Sequence, residues 1–350
     1  MSILRPLAIR ALTLIGVLFT VLLLLVITLG ATGFSDRLLE AQVGEEIRGM
    51  RTGLSQTIRD PQELERTLAA RRVELEQFYD LDKSWGQRLP DTVFHVMTLD
   101  LGEARTIKSF SGSNRVSDIV WDRLPNTALL LTTSLVITAI LGLTVGVRLA
   151  SRIGTKTDRA VSYFSAISFA MPAWWMGILM ILVFAFQFDL LPAGGMYSTP
   201  PPSGGFSRFF DLVKHAILPV ITLVMVSAGP YIYSVRTMTM TVAQEDHVTL
   251  ARAKGMPEGV VNRRHILRVA APPIVTGLIL GLAGSLGGSI LVETIFDWQG
   301  MGRLYFEAVS GVPDENLIVE LTFVFTLLYV AARFLLEVLY VFLDPRVQYT

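Results

Sequence analysis

The sequence predicts an all-α integral membrane protein with six transmembrane helices and a long external segment between the first and the second. Three observations predict this. The 350-residue chain is 51% apolar and only 17% charged, whereas soluble domains average about 25% charged residues. Six segments are long and apolar enough to cross a bilayer as helices. Basic residues are concentrated on alternate connections between those segments.

The predicted spans each supply the run of about 20 mainly apolar residues that a crossing helix needs. They are residues 8–32, 126–149, 160–187, 216–236, 271–293 and 318–343. The first could be taken for a secretory signal because Arg5 and Arg10 precede it. Its apolar run is longer than the roughly 7–15 residues of a cleavable signal core, so we expect a retained helix.

The distribution of basic residues predicts the orientation. Only three lie in the short loops assigned to the outside, Arg208, Lys214 and Arg303. Thirteen lie in the short segments assigned to the cytoplasm: Arg5, Arg10, Arg148, Arg152, Lys156, Arg159, Arg236, Arg252, Lys254, Arg263, Arg264, Arg268 and Arg346. By the positive-inside rule, both termini are expected in the cytoplasm and the protein in the cell (inner) membrane.

Three parts follow from this topology. Residues 1–32 form the N-terminal cytoplasmic end and the first transmembrane helix, and residues 33–122 form the external segment. Residues 123–350 form a core of five transmembrane helices with a cytoplasmic segment at 237–270. We expect the external segment to be a small cap of helices, one of which starts at Pro61. The Pro- and Gly-rich stretch 191–205 is typical of an irregular external loop.

The cytoplasmic segment contains the most informative stretch of the chain, residues 246–255. Small and apolar side chains give it the content of a short helix: Val248, Leu250, Ala251 and Ala253. Gly255 is predicted to end the helix as its C-cap residue, and Pro257 to open a second basic helix that runs through Arg268. The small alanines would let the first helix fit closely into a groove of another protein. The alternative is a helix that lies on anionic lipid through Arg252, Lys254, Arg263 and Arg264, and charge alone does not choose.

Separated blocks between residues 99 and 350 carry a family resemblance. They are Asp100-Leu101-Gly102, Arg123-Leu124-Pro125-Asn126-Thr127, Leu191-Pro192-Ala193-Gly194-Gly195, His215-Ala216-Ile217-Leu218-Pro219, the segment from Asp246 to Pro273, Glu293-Thr294-Ile295-Phe296 with Gly300-Met301-Gly302, and Leu343-Asp344-Pro345-Arg346. In order and spacing they resemble the permease subunits of ABC importers, specifically the oligopeptide/dipeptide branch.

The resemblance implies a permease that forms half of the translocation pathway for peptides or related small solutes. It implies a second homologous permease subunit, two ATPase subunits that use ATP and Mg, and an external solute-binding protein, besides the lipid bilayer. It also places ATPase coupling on one set of residues: Asp246, His247, Ala251, Arg252, Ala253, Lys254 and Gly255. The alternative is a self-assembling channel or passive pore, but no selectivity-filter pattern is found in the sequence.

Four glycines of the fifth span, at spacings of four, three and four, fall on one helical stripe: Gly277, Gly281, Gly284 and Gly288. They would let this helix pack closely against the partner permease and line the pathway. Packing within the chain, or simple tolerance of glycine, would produce the same stripe.

Pro172 is expected to break the third span, and Pro230 to do the same in the fourth. Trp174 and Trp175 are interpreted as packing residues rather than solute-stacking ones. Glu293 is a candidate gate or vestibule residue by family position. Arg333 and Glu337 are expected to form an i,i+4 pair near the cytoplasmic end of the sixth span.

The sequence contains no catalytic constellation. It has no phosphate-binding loop, no metalloprotease pair among its four histidines and no nucleophile elbow. The absence of cysteine excludes disulfides and thiolate metal sites. We therefore expect a non-enzyme that binds no cofactor. With 30 basic and 30 acidic residues, its net charge indicates no nucleic-acid partner. The identity of the solute does not follow from any residue.

Overall fold

The computed structural model describes residues 4–104, 106–310 and 313–343, with the backbone alone at residues 4, 6, 282–288 and 339–343. In this part of the chain every regular element is a helix, apart from a single bridge between Glu103 and Arg115. The residues group into two compact units. One comprises residues up to 12, 123–303 and 328 onwards, and the other comprises residues 13–122 and 304–327.

Twelve helices are labelled in chain order within the described ranges. They are α1 (Leu4–Ala31), α2 (Phe34–Leu54), α3 (Pro61–Phe78), α4 (Trp85–Met97), α5 (Val116–Ala150), α6 (Lys156–Ala170), α7 (Ala173–Gln187), α8 (Gly205–Ala243), α9 (Asp246–Ala253), α10 (Arg268–Ile295), α11 (Met301–Val309) and α12 (Glu315–Leu343). A π-helical turn interrupts α5 at Gly142–Gly146.

Membrane-spanning length and apolarity are met by α1, α5, α8 and α12, and by α6 and α7 if the two form one bent span. These elements coincide with five of the predicted spans. The remaining predicted span, 271–293, lies within the 28-residue helix α10. The protein is thus an all-helical membrane protein with several apolar spans, and the count of six remains a prediction.

The predicted break at Pro172 is confirmed. Helices α6 and α7 meet there at an angle of 104°, and both Met171 and Pro172 have extended backbone conformations. The cause is local, because proline has no amide hydrogen and its ring pushes the preceding residue out of the helical region.

The predicted break at Pro230 is wrong, since α8 runs without interruption through Pro219 and Pro230. Proline at 230 leaves the carbonyl of Val226 without its usual helical donor. The Ser168 hydroxyl of α6 donates to the Met225 carbonyl and also lies 3.1 Å from that of Val226, so its one hydrogen is shared between the two. The backbone of α6 approaches closely here, because a Cβ on Gly229 would lie 2.9 Å from the Ser165 Cα. A neighbouring helix therefore supplies the missing hydrogen bond, as is common in membrane helices.

Close packing also joins α5 to α8. A Cβ on Gly146 would lie 2.8 Å from the carbonyl oxygen of Ile232 and 3.0 Å from the Cβ of Val235. Glycine is needed at this position because the two backbones touch. The glycine lies in the π-helical turn of α5, so the irregular turn and the contact with α8 occur together.

In the second unit, the segment expected to be a helical cap does contain three helices. The predicted start at Pro61 is confirmed: Asp60 caps α3 by accepting a hydrogen bond from the Gln62 amide at 3.0 Å. Buried side chains of α2 pack against the end of α3 through Leu39, Val43, Leu75 and Tyr79. The external location of this segment remains a prediction.

Candidate functional site

Helix α9 ends as its sequence predicts. Gly255 has a φ of +73°, the left-handed conformation that favours glycine. Its amide donates to the Arg252 carbonyl at 2.9 Å, and the Met256 amide donates to the Ala251 carbonyl at 3.4 Å. This pair of bonds is a Schellman motif. Gly255 therefore sets the direction in which the chain leaves the helix.

One face of α9 is buried in the chain itself. Val248 and Ala251 are 0% and 3% exposed, and they join a core cluster with residues of α8, α10 and the segment between: Val235, Val242, Val261, Ile266, Ala270 and Ile274. The prediction that the small side chain of Ala251 faces a partner is therefore corrected. The alternation of small and apolar residues located the helix but did not indicate which face is inward.

The other face of α9 is exposed. It carries the remaining predicted coupling residues Asp246, Arg252, Ala253, Lys254 and Gly255. Two apolar side chains accompany them, because Leu250 is 56% exposed and Met256 is 37% exposed. The surface thus combines a basic end, a small residue and exposed apolar area, which is typical of a helix that meets another surface.

His247 holds α9 in place. Its Nε2 donates to the carbonyl oxygen of His265 at 3.0 Å, and its Nδ1 lies 3.1 Å from the carboxylate of Glu245. The predicted second helix differs from expectation here. A short α-turn, Glu258–Val260, and a π-helical stretch, Val261–Leu267, continue directly into α10. Through its bond to His265, α9 is thus attached to the helical run that continues into α10.

A buried ion pair links the end of α8 to the start of α6. The Nε and Nη2 atoms of Arg236 donate to the two carboxylate oxygens of Asp158 at 2.6 and 2.9 Å. Asp158 also accepts the Gly154 amide at 2.9 Å, and Thr155 caps α6. Sequence reasoning counted Arg236 only as a topology signal. A carboxylate in the first turn of an apolar helix was the available clue to its partner.

The two tryptophans of α7, which were predicted to be packing residues, are partly exposed. Trp174 and Trp175 have 41% and 42% of their surfaces exposed, directly after the break at Pro172. Gly177 of the same helix is buried, and a Cβ there would lie 3.0 Å from the ring of Phe296. Helix α7 is thus packed closely at its glycine, while each indole keeps part of its surface exposed.

Two glycines of the α10 stripe, Gly277 and Gly281, make no close contact with the described part of the chain. A Cβ placed on Gly277 or Gly281 would meet no atom of the described side chains or backbone within 4 Å. Packing inside this chain therefore does not explain these two glycines in the described part of the molecule. Gly284 and Gly288 lie in the stretch where no side chains are described.

Glu293 is buried, with 0% exposure, at the end of α10. Its Oε1 accepts a hydrogen bond from the Thr127 hydroxyl at 2.9 Å, and its Oε2 accepts one from the Arg303 amide at 3.1 Å. The Thr127 hydroxyl in turn accepts the Met301 amide at 2.7 Å. The carboxylate thus caps the start of α11, where negative charge is favourable. The carboxylate thereby links the end of α10 to the turn before α11, and its role as a gate or vestibule residue remains a prediction.

The same turn has further hydrogen bonds to α5. The Trp298 indole donates to the carbonyl of Asn126 at 3.0 Å, and the Asn126 side chain donates to the carbonyl of Gln299 at 2.6 Å. Arg123 donates to the side chain of Gln299. The family blocks at 123–127 and 293–302 therefore form one polar junction, a contact that separated motifs alone did not predict.

The predicted pair on α12 is loose. Arg333 Nη2 lies 4.0 Å from Glu337 Oε1, with the two side chains 39% and 10% exposed. No group of three or more His, Asp or Glu residues in the described part of the chain could hold a metal ion.

Several apolar spans, one bent pair of helices and a short helix presented between two spans define a multi-pass membrane protein. A family model described as the inner membrane component of binding-protein-dependent transport systems matches residues 142–349, more than half of the chain. The chain belongs to this family, whose members are the permease subunits of ABC importers. The comparisons do not favour a self-assembling channel.

Named relatives agree with this assignment. The chain is 31% identical to the oligopeptide transport system permease protein AppB of Bacillus subtilis, over 67% of this chain and 72% of that protein. It is 26% identical to the dipeptide transport system permease protein DppB of Alkalihalophilus pseudofirmus, over 81% and 89% of the two chains. It is 28% identical to the dipeptide transport system permease protein DppB of Escherichia coli, over 77% and 83%.

Proposed function

We propose that this chain forms half of the translocation pathway of an importer for peptides or related small solutes, and that α9 couples it to an ATPase subunit. The names of its relatives support the solute class. The observation that carries the coupling role is the division of α9 into a buried face on the chain's own core and an exposed face around Arg252, Ala253 and Lys254.

The proposed topology has six spans with both termini in the cytoplasm of the cell membrane. On this topology α9 faces the cytoplasm, where ATPases are found, and residues 33–122 face the outside, where a solute-binding protein would dock. The proposed assembly contains a second homologous permease, two ATPases that use ATP and Mg, and the binding protein. This chain contributes neither a phosphate-binding loop nor, in the part described, a candidate metal cluster.

The proposed mechanism relies on rigid connections. Displacement of α9 by an ATPase would be transmitted to α8 and α10, because Val248 and Ala251 share one packed cluster with both. Arg236 would carry the displacement to α6 through its bond to Asp158. For the ATPases to shift the permease between two states, they must bind those states with different affinity.

The test is a mild-detergent purification of the tagged full-length chain from its native membrane, with all co-purifying proteins identified. The proposal predicts a second permease and one or two ATPases. A stable homo-oligomer without any ATPase would overturn it. The lipid-surface alternative for α9 predicts that ATPase recovery is unchanged by substitutions on its exposed face.

A further inference from the structure

The second unit encloses a cavity of about 480 Å³ that no part of the proposed function uses. It is lined by the last turns of α1, by residues of α2 and α4, and by the first turns of α12. Its volume falls within the range of about 300–1,000 Å³ that small-molecule sites occupy. In the proposed topology the end of α1 and the start of α12 are both external, so the cavity would open towards the arriving solute.

Two side chains that line this cavity have buried polar atoms without a partner. Glu320 is 2% exposed, and its Oε2 makes no hydrogen bond. The Nη1 of Arg88 is also buried and makes no hydrogen bond, although another nitrogen of the same guanidinium binds Asp36. Buried polar atoms are nearly always paired, so each such atom requires an explanation. An unpaired charged group is particularly unfavourable.

The other side chains that line the cavity favour the binding of an organic cation beside their carboxylates. Five carboxylate residues line the cavity, Asp80, Asp91, Asp100, Glu315 and Glu320, against the two cations Lys83 and Arg88. The indole of Trp85 also lines it, seated against Gly30 so closely that a Cβ there would lie 2.6 Å from the ring. An aromatic face beside carboxylates suits an ammonium group. No candidate metal cluster is found among the described residues.

We propose that this cavity binds a small zwitterionic solute, with Glu320 as the partner of its ammonium group and Arg88 as the partner of its carboxylate. The inference rests on the proposed function, because it assigns the solute class to a site in the permease itself. A free dipeptide carries both groups. One bound zwitterion would supply a partner to each of the two unpaired atoms, with Arg88 retaining its bond to Asp36.

The experiment uses the full assembly of this chain with its partner permease and ATPases in lipid nanodiscs, without binding protein. Dialanine, N-acetyl-dialanine and dialanine amide are titrated by ligand-observed NMR. The expected result is saturable binding of dialanine, with each blocked probe bound about tenfold more weakly, since a charged hydrogen bond contributes roughly that factor. Glu320→Gln should weaken dialanine binding about tenfold and leave N-acetyl-dialanine binding unchanged.

Glu45→Gln is the matched control, because Glu45 is an exposed carboxylate paired with Arg48 on α2, away from the cavity. Equal binding of all three probes by the wild-type assembly would overturn the proposal and needs no variant that could fail to fold. So would equal dialanine binding by the wild-type and Glu320→Gln assemblies. Either result with ATPases still present contradicts the cavity proposal alone, whereas absence of ATPases from the purified assembly contradicts the proposed function.

Discussion

Asp158 and Arg236 form a two-point ion pair inside the membrane domain, with side chains only 6% and 12% exposed. They join α6 to α8 beside the helix that we assign to ATPase coupling. Because the Asp158 carboxylate also accepts the Gly154 amide, the same carboxylate orders the turn before α6. The pair therefore connects α8, α6 and the turn before α6, and these three must move together if α9 transmits force.

Removing one partner of this pair should be strongly destabilising. Asp158→Ala leaves a buried guanidinium without its charge partner, at a cost of about 3–5 kcal/mol. The measurement is the free energy of unfolding in mixed detergent micelles. Glu45→Ala is the control, since it breaks an exposed pair with Arg48 worth at most about 1 kcal/mol. Equal effects of the two substitutions would contradict the structural importance of the buried pair.

Gly255→Val should impair coupling while insertion into the membrane continues. Valine at a φ of +73° is strained by its Cβ, so the end of α9 must rearrange. We expect loss of most ATPase co-purification and of solute uptake. Gly259→Val is the matched control, because Gly259 is exposed, has no positive φ and has open space around its Cβ. If both variants retain ATPase equally, the Schellman turn is not part of the interface.

Ser168 and Pro230 should be energetically coupled. Ser168→Ala removes the hydroxyl that the Met225 and Val226 carbonyls share and is expected to lower the free energy of unfolding by about 1–3 kcal/mol. In a Pro230→Ala background the alanine amide can donate to the Val226 carbonyl. There the Ser168→Ala substitution should have a smaller effect, which a double-mutant cycle measures. Strict additivity of the two substitutions would contradict this account of the uninterrupted helix.

Thr127 should be required for the junction around Glu293. Thr127→Val removes the hydroxyl that donates to Glu293 and accepts from the Met301 amide. It removes one donor to the Glu293 carboxylate, which keeps the Arg303 amide, and it takes away the acceptor of the Met301 amide. We therefore expect destabilisation of about 1–3 kcal/mol. Thr127→Ser keeps the hydroxyl and is the control. Thermal unfolding of the purified assembly measures both, and indistinguishable midpoints would show that the junction does not depend on this hydroxyl.

The proposed topology predicts opposite labelling of two loops. The chain contains no cysteine, so single-cysteine variants report one position each. A membrane-impermeant thiol reagent added to whole cells should label Ser203→Cys, in the irregular stretch before α8, and not Ala253→Cys. Permeabilised cells should label both. The reverse pattern would invert the orientation deduced from the basic residues.

Much of the helical architecture could be predicted from the sequence, since apolar length specifies where helices cross and proline specifies where α6 and α7 separate. The uninterrupted path of α8 through Pro230 could not, because the rescuing donor, Ser168, is distant in the chain. The end of α9 was predictable from Gly255 alone. Its inward face was not, since Ala251 and Ala253 are the same residue type and only tertiary packing distinguishes them. The partner of Glu293, Thr127, was likewise not predictable, because it lies in a separate motif of the sequence.

The most direct test of the central claim is cross-linking from the two alanines of α9 in the native assembly. Ala253→Cys places a thiol on the exposed face, and Ala251→Cys places the same thiol on the buried face. With a short thiol-to-amine cross-linker, we predict a product between an ATPase subunit and the Ala253→Cys chain, and none or very little with Ala251→Cys. A protein product from neither variant, with lipid probes reacting at Ala253→Cys instead, would contradict ATPase docking and place α9 on the membrane surface.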